Sequence, residues 1–231
     1  MKHTHPVSGI YDGLFEKSIP AIEEGKVEVD PMIDGINDTR RGITLLTRLS
    51  QPVIENIERF QNELRQIDQH QYEQPSADLH LTILSLISCY AGFSLNDIHV
   101  QDYMEIIAES VLNIRPFSIR FRGITASKDA VMIQGFPQDD SLEIIRERLR
   151  TNLKKTSLQQ SVDSRYKITT AHITAVRFRK ELNVPSGYAA ALQRFRNFDF
   201  GEITVSSLDL VFNDWYQKKD IVRTLHRFAL K

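Results

Sequence analysis

Two short segments of this chain carry one pattern, a histidine, an apolar residue and a threonine. The first is His80-Leu81-Thr82 and the second, ninety-two positions later, is His172-Ile173-Thr174. Both lie in runs dominated by apolar residues, which favours β-strands. Side chains alternate between the faces of a strand, so each histidine shares a face with its threonine while the apolar residues turn toward the core. Two such strands facing each other would place two imidazoles and two hydroxyls in one cleft.

Two imidazoles in one cleft suit acid–base catalysis. The unperturbed pKa of histidine is about 6.5, so near neutral pH one ring can accept a proton while the other donates one. No set of metal ligands accompanies the pair. His3 and His5, near the N-terminus, are set aside because terminal residues are commonly disordered, and the single Cys89 excludes an internal disulfide or a cysteine-based metal site. We therefore predict no metal and no cofactor.

The composition narrows the class of protein. With 29 basic and 30 acidic residues the net charge is −1, which argues against a protein that coats long nucleic acid through bulk charge. The 41% apolar and 26% charged content is typical of a globular protein. No segment approaches the roughly 18 apolar residues of a membrane span, and the N-terminus lacks the apolar region of a signal peptide. We expect a cytoplasmic monomer that does not contact a membrane.

The order of predicted elements repeats along the chain. Residues 1–42 are predicted to form an extension packed on a single bilobed domain, residues 43–231. Hydrophobic periodicity predicts strand, helix, motif strand, helix and strand, first over residues 43–126 and again over residues 130–213. Each motif occupies the same slot of its half. The halves, related by a pseudo-twofold axis, would bring the two motifs face to face.

Two details of this prediction concern strand continuity. The second motif strand is predicted to run from Thr170 to Phe178 without interruption, so that Phe178 shares the face of His172. A later strand is predicted from Ile203 to Phe212, with a β-bulge where the alternation changes phase at Ser206 and Ser207.

With both motifs placed, the chain resembles the 2H phosphoesterase superfamily, which includes the bacterial 2',5'-RNA ligase and cyclic phosphodiesterase proteins. The resemblance covers about residues 40–231 and depends on the segments "HLTI" and "HITA". It implies an α+β fold in which duplicated β-α-β-α-β halves place antiparallel sheets about a central cleft. It also implies a metal-independent enzyme that opens a 2',3'-cyclic or 2',5'-linked phosphodiester, with a nucleotide or RNA end as its partner.

The resemblance assigns the catalytic roles to His80, Thr82, His172 and Thr174. Hydrolysis of a cyclic phosphodiester needs a base for the attacking water and an acid for the leaving oxygen, and two histidines on opposite sides of the phosphorus supply both. The threonine hydroxyls can donate hydrogen bonds to the phosphoryl oxygens. Which histidine is the base stays open.

Five further residues are predicted to bind substrate. Two arginines just before the first strand can meet a phosphate, and three aromatic residues near the motifs or in a polar turn can line the cleft or stack on a base. In chain order these residues are Arg40, Arg41, Tyr166, Phe178 and Trp215. Basic residues at the entrance of a strand are usually solvated, and core packing explains Phe178 at least as well. A hairpin lid or a core anchor is the simpler explanation for Trp215.

Two other functions use the same residues. Acid–base isomerisation of a sugar, such as mutarotation, also needs one proton donor and one acceptor. A non-catalytic module could hold a phosphate or an RNA end, although binding alone would not require two titratable groups. Assays of cyclic nucleotides beside free aldoses would separate these functions.

Overall fold

The computed structural model describes residues 7–164 and 166–231. His3 and His5 lie outside the described residues. Within these ranges five α-helices, α1–α5, span Ser8–Glu23, Gln51–Arg65, Val100–Ser110, Ser141–Lys154 and Pro185–Arg194. Nine strands, β1–β9, span Arg40–Arg48, Tyr72–Glu73, His80–Ala91, Phe117–Ala126, Ala130–Pro137, Ala171–Arg177, Asp199–Val205, Ser207–Asn213 and Arg223–Ala229. None of the described helices is long and apolar enough to cross a lipid bilayer.

The strands form two sheets, and every pairing is antiparallel. Sheet A has the order β3-β1-β8-β9, and sheet B has the order β2-β6-β5-β4-β7. The apolar faces of both sheets and of the helices join in one core of buried aliphatic and aromatic side chains. This architecture confirms the predicted α+β class with two antiparallel sheets.

Each half of the chain contributes a strand to the opposite sheet. In the first half β1 pairs with β3 in sheet A while β4 joins sheet B, and in the second half β5 pairs with β6 in sheet B while β8 joins sheet A. The predicted bulge at Ser206 is wrong for this reason. The chain changes sheets there, because β7 bonds to β4 whereas β8 bonds to β1 and β9.

Helix α1 attaches the N-terminal region to sheet B. Tyr11 and Ile22 are buried, and the Ser18 hydroxyl donates a hydrogen bond of 2.7 Å to the carbonyl of Ala126 in β4. The Tyr11 hydroxyl lies between β5 and β6, where it accepts from the amide of Ala171 at 3.1 Å. Helix α1 therefore contacts the backbone one residue before His172.

The two motif strands lie at facing sheet edges. Strand β3 is the outer strand of sheet A. Strand β6 is covered in sheet B by β2 only at Val176 and Arg177, so its first part, which carries the motif, is also an edge. Strands β3 and β6 contact each other across this gap. The cleft described next opens between them.

Candidate active site

Four motif side chains line one cleft of about 210 Å³. His80 and Thr82 come from β3, and His172 and Thr174 come from β6. The alternation of each strand turns the intervening apolar residues into the core, where they are fully buried. The hydroxyls of Thr82 and Thr174 have no hydrogen-bond partner within the described residues, so both are available to a ligand. The structure thus brings together the residues that the spacing singled out.

The His80 ring is oriented by the backbone. Its Nδ1 lies 2.7 Å from the carbonyl oxygen of Asp78. A carbonyl can only accept, so Nδ1 carries the hydrogen, and Nε2 of the neutral ring is left with its lone pair. The Asp78 carboxylate is engaged elsewhere, because it accepts from the amide of Lys219 at 2.8 Å. Neutral His80 is therefore held in the tautomer that can take up a proton at Nε2.

The His172 ring has a different partner. Its Nδ1 lies 2.9 Å from the hydroxyl oxygen of Thr170, two residues earlier. A threonine hydroxyl can donate or accept, so this contact supports the neutral ring and, by accepting from Nδ1, the charged ring as well. The tautomer of neutral His80 is therefore fixed by its partner, whereas the protonation of His172 is not.

Burial and nearby cations keep both rings neutral in the free cleft. Desolvation lowers the pKa of His80 to about 4, and the charges of Arg48 and Arg177 act in the same direction. Desolvation also lowers the pKa of His172 to about 4, with further contributions from Arg146 and Arg177. Because Arg177 acts on both rings, its guanidinium lies within electrostatic reach of each.

Arg177 is a cleft residue that the sequence analysis missed. In the register of β6 with β5, Thr174 faces Met132 and Val176 faces Val131, so Ala175 is the extra residue of a β-bulge. The bulge shifts the alternation by one position and turns Arg177 to the side of the motif. The sequence signal was a cation in an otherwise apolar strand, preceded by two consecutive apolar residues.

The bulge is held by hydrogen bonds from distant residues. The Ala175 carbonyl accepts from the backbone amide of Gln74 and from the side-chain amide of Gln61, each at 2.9 Å. Gln61 also donates to the carbonyl of Gln74 at 2.9 Å, and its side chain is buried. Helix α2 and the segment before β3 therefore determine where Arg177 points.

The prediction that Phe178 shares the face of His172 is wrong. The same bulge reverses the alternation, and Phe178 is fully buried against Tyr188, with ring centroids 6.1 Å apart. Phe178 belongs to the core and cannot stack on a ligand in the cleft.

The predicted phosphate contacts of Arg40 and Arg41 are also not supported. Strand β1 runs antiparallel to β3, so these residues pair with the distal end of β3 while Arg48 pairs with His80. Arg40 binds the carboxylate of Asp38 through two hydrogen bonds of 2.9 and 2.8 Å. Arg41 donates to backbone carbonyls. Neither arginine lines the cleft.

Two of the predicted aromatic residues do line the cleft, Tyr166 and Trp215. Tyr166 is 66% exposed, so its ring has free surface for a ligand. Trp215 is followed by Tyr216, another residue of the cleft wall, and the Arg40 guanidinium carbon lies 5.3 Å from the Trp215 ring centroid. Arg40 thus supports the aromatic wall from behind. Across the described ranges, no group of three or more His, Cys, Asp or Glu is arranged to hold a metal ion.

Comparisons with known proteins place this architecture in a family. Residues 46–221 match the sequence model of the AKAP7 2'5' RNA ligase-like domain. No curated protein matches the chain significantly in sequence.

Several solved structures share the fold. TT0787 of Thermus thermophilus is 18% identical, with a TM-score of 0.62 over 82% of this chain and 97% of its own. E. coli LigT complexed with 3'-AMP is 15% identical, with a TM-score of 0.55 over 83% and 99%. ATU0111 from Agrobacterium tumefaciens, described as a conserved protein of unknown function, is 11% identical, with a TM-score of 0.56 over 92% and 98%.

Proposed function

Because this chain belongs to the 2H phosphoesterase superfamily, through its AKAP7 2'5' RNA ligase-like domain, we propose that it hydrolyses a 2',3'-cyclic or 2',5'-linked phosphodiester at a nucleotide or RNA end. The observation that carries the proposal is the cleft lined by two histidines, two threonine hydroxyls and Arg177. The family contains phosphoesterases and RNA ligases, and membership therefore supports an enzyme that acts on phosphoesters.

The neutral His80 ring is the base in this proposal. Its Nδ1–H is directed to the Asp78 carbonyl, so the lone pair on Nε2 can take the proton from water as the water oxygen attacks phosphorus. A new P–O bond forms on that side. The bond to the leaving 2' or 3' ribose oxygen breaks on the other side.

His172 is the acid and protonates the leaving oxygen. Because the pKa of His172 is low, the ring is neutral in the free protein and must be protonated when substrate binds. The negative charge of a bound phosphate favours the protonated ring. Thr170 can accept from Nδ1 of the charged ring at the observed 2.9 Å. The low intrinsic affinity for the proton then assists its transfer, since a stronger acid donates more readily.

Thr82, Thr174 and Arg177 bind the phosphoryl oxygens. Two neutral donors and one guanidinium can stabilise the negative charge that develops there, the role that a metal ion has in other phosphoryl-transfer enzymes. We therefore propose a metal-independent reaction. Since both motifs belong to one chain, the proposed active unit is the monomer.

A nucleotide fits the remainder of the cleft. Tyr166 and Trp215 supply aromatic surface on which a base can stack, and base–aromatic stacking contributes about 1–3 kcal/mol per base. LigT of the same fold has been crystallised with 3'-AMP, ATP and NADP+. These complexes support a nucleotide as the substrate class here.

The test is hydrolysis of the four 2',3'-cyclic nucleotides and of 2',5'-linked dinucleotides by the purified protein in the presence of EDTA. We expect turnover of at least one of these substrates, and a kcat lower by about 10²- to 10⁴-fold for His80→Ala. Binding without turnover would contradict the proposal and indicate a non-catalytic module. Activity on free aldoses alone would indicate an isomerase.

A further inference from the structure

Arg146 of α4 connects the two motif strands. Its Nε donates to the Ile83 carbonyl at 2.8 Å, and its Nη2 donates to the carbonyls of Thr82 at 3.2 Å and Thr170 at 2.9 Å. Its side chain is 1% exposed. One guanidinium thus holds the backbone of the first motif and the residue whose hydroxyl contacts His172.

The position explains why an arginine is used. Strand β3 and the first part of β6 are facing sheet edges, whose carbonyls have no neighbouring strand in the described ranges to bind across the gap. A planar guanidinium offers five N–H donors in a fixed arrangement and can satisfy carbonyls on both sides at once. Burial lowers the pKa of Arg146 to about 10, so the side chain stays charged at neutral pH.

We propose that Arg146 is a positioning residue that fixes the separation of the two catalytic histidines. We further propose that its charge acts more strongly on His172, because Arg146 binds Thr170, the partner of the His172 ring, whereas the His80 ring is bound by Asp78. The proposal depends on the function proposed above only for its kinetic part. Charged groups that act on His172 are Arg146 of α4 and Arg177 of β6. Those that act on His80 are Arg48 of β1, Arg177 and, when protonated, His172.

Because the charge of Arg146 acts more strongly on His172 than on His80, the pKa values of the two rings should respond differently when Arg146 is replaced. The variants are Arg146→Met, which removes the charge and all three hydrogen bonds, and Arg146→Lys, which keeps the charge on a single ammonium. Arg148→Met is the control, because Arg148 is an exposed arginine on the same helix. NMR titration of the two histidine rings is combined with kcat for the best cyclic phosphodiester substrate, and circular dichroism verifies folding.

We expect Arg146→Met to raise the pKa of His172 and leave that of His80 near its wild-type value, with kcat lower by roughly 10- to 100-fold because the reacting groups are displaced. Arg146→Lys should lower kcat without raising the pKa of His172. Should Arg146→Met not fold, the Lys variant still decides the positioning role through kcat. Wild-type kcat in a folded Arg146 variant, or equal shifts of both rings, would overturn the proposal.

The NMR titrations need no turnover, so they test the role of Arg146 even if the proposed substrate is wrong. If wild-type protein hydrolyses none of the phosphodiesters, the proposed function fails. A selective rise in the pKa of His172 in Arg146→Met would still establish the charge of Arg146 at that ring, and unchanged titration curves would refute it.

Discussion

The guanidinium of Arg177 lies 5.8 Å from the ring centroid of Tyr216, and Asp129, its ion-pair partner in the described residues, is 4.0 Å away. The Nε of Arg177 is buried and has no hydrogen-bond partner among the described groups. A cation with such weak compensation beside two neutral histidines favours the binding of an anion. We therefore propose that Arg177 anchors a phosphate in the cleft.

Replacing Arg177 by Met should therefore weaken substrate binding. We expect KM for a cyclic nucleotide to rise at least about 10-fold, which corresponds to the loss of about 1.4 kcal/mol, the low end for a charged hydrogen bond. The pKa of both histidines should rise, since Arg177 lowers both. Steady-state kinetics and NMR titration measure the two effects. An unchanged KM in the folded variant would place the phosphate elsewhere.

The two histidines should differ in their response to the leaving group. With a cyclic nucleotide, His80→Ala and His172→Ala should each lose about 10²- to 10⁴-fold in kcat, and Thr82→Ala or Thr174→Ala about 10- to 1000-fold by analogy with oxyanion donors.

With a p-nitrophenyl phosphodiester, whose leaving group needs no proton, His172→Ala should recover most of its activity while His80→Ala should not. Recovery by His80→Ala instead would reverse the assignment of acid and base.

The folded protein should lose stability on acidification because of the same rings. Their pKa is about 4 in the folded state and about 6.5 in an unfolded chain, so between these values the unfolded chain binds more protons. Stability that is present above pH 6.5 is therefore lost as the pH falls toward 4. Urea unfolding of the wild type and of His80→Gln should show a shallower pH dependence in the variant. His226→Gln, which replaces an exposed histidine, serves as the control. If stability depends on pH as steeply in His80→Gln as in the wild type, the lowered pKa of His80 is contradicted.

Removing the support of the bulge should affect both stability and binding. Gln61→Ala leaves the carbonyls of Ala175 and Gln74 without their side-chain donor, and we expect a loss of about 1–3 kcal/mol in the free energy of unfolding. KM should rise as Arg177 loses its orientation. Gln51→Ala, an exposed glutamine on the same helix, should change neither. Denaturant unfolding and steady-state kinetics measure these effects. A destabilised variant with wild-type KM would show that the bulge does not determine the orientation of Arg177.

Helix α1 should be needed for full activity although it precedes the family match. The Tyr11 hydroxyl accepts from the amides of Ala171 and Gly135 and donates to the Gly135 carbonyl. Tyr11→Phe removes the hydroxyl from these buried hydrogen bonds, which should cost about 1–3 kcal/mol and lower kcat through the neighbouring His172. Tyr90→Phe, on the exposed end of β3, is the matched control. Equal unfolding midpoints and rates for the two variants would refute this role.

The sequence was sufficient for the motif residues and the class of fold. A histidine and a threonine two positions apart in an apolar strand must share a face, and this local rule pairs each histidine with its threonine on the side that lines the cleft. Hydrophobic periodicity predicted the repeated order of elements, since it reflects which face of each element is buried. The two antiparallel sheets were predicted from the family resemblance that the motif segments carry. The sequence also contains a sign that Arg146 is buried, because its position shares the apolar face of α4 with Leu142 and Leu149.

The tertiary structure decided what lies around the histidines. Because Ala175 forms a bulge, Arg177 lies on the face that regular alternation would give to Phe178. The bulge depends on hydrogen bonds from Gln61 and Gln74, about a hundred positions earlier.

Arg146 reaches both motif strands only because the chain folds their edges against α4. Periodicity describes one element at a time, whereas bulges, sheet edges and buried charges are determined by hydrogen-bond partners that the fold brings from distant parts of the chain.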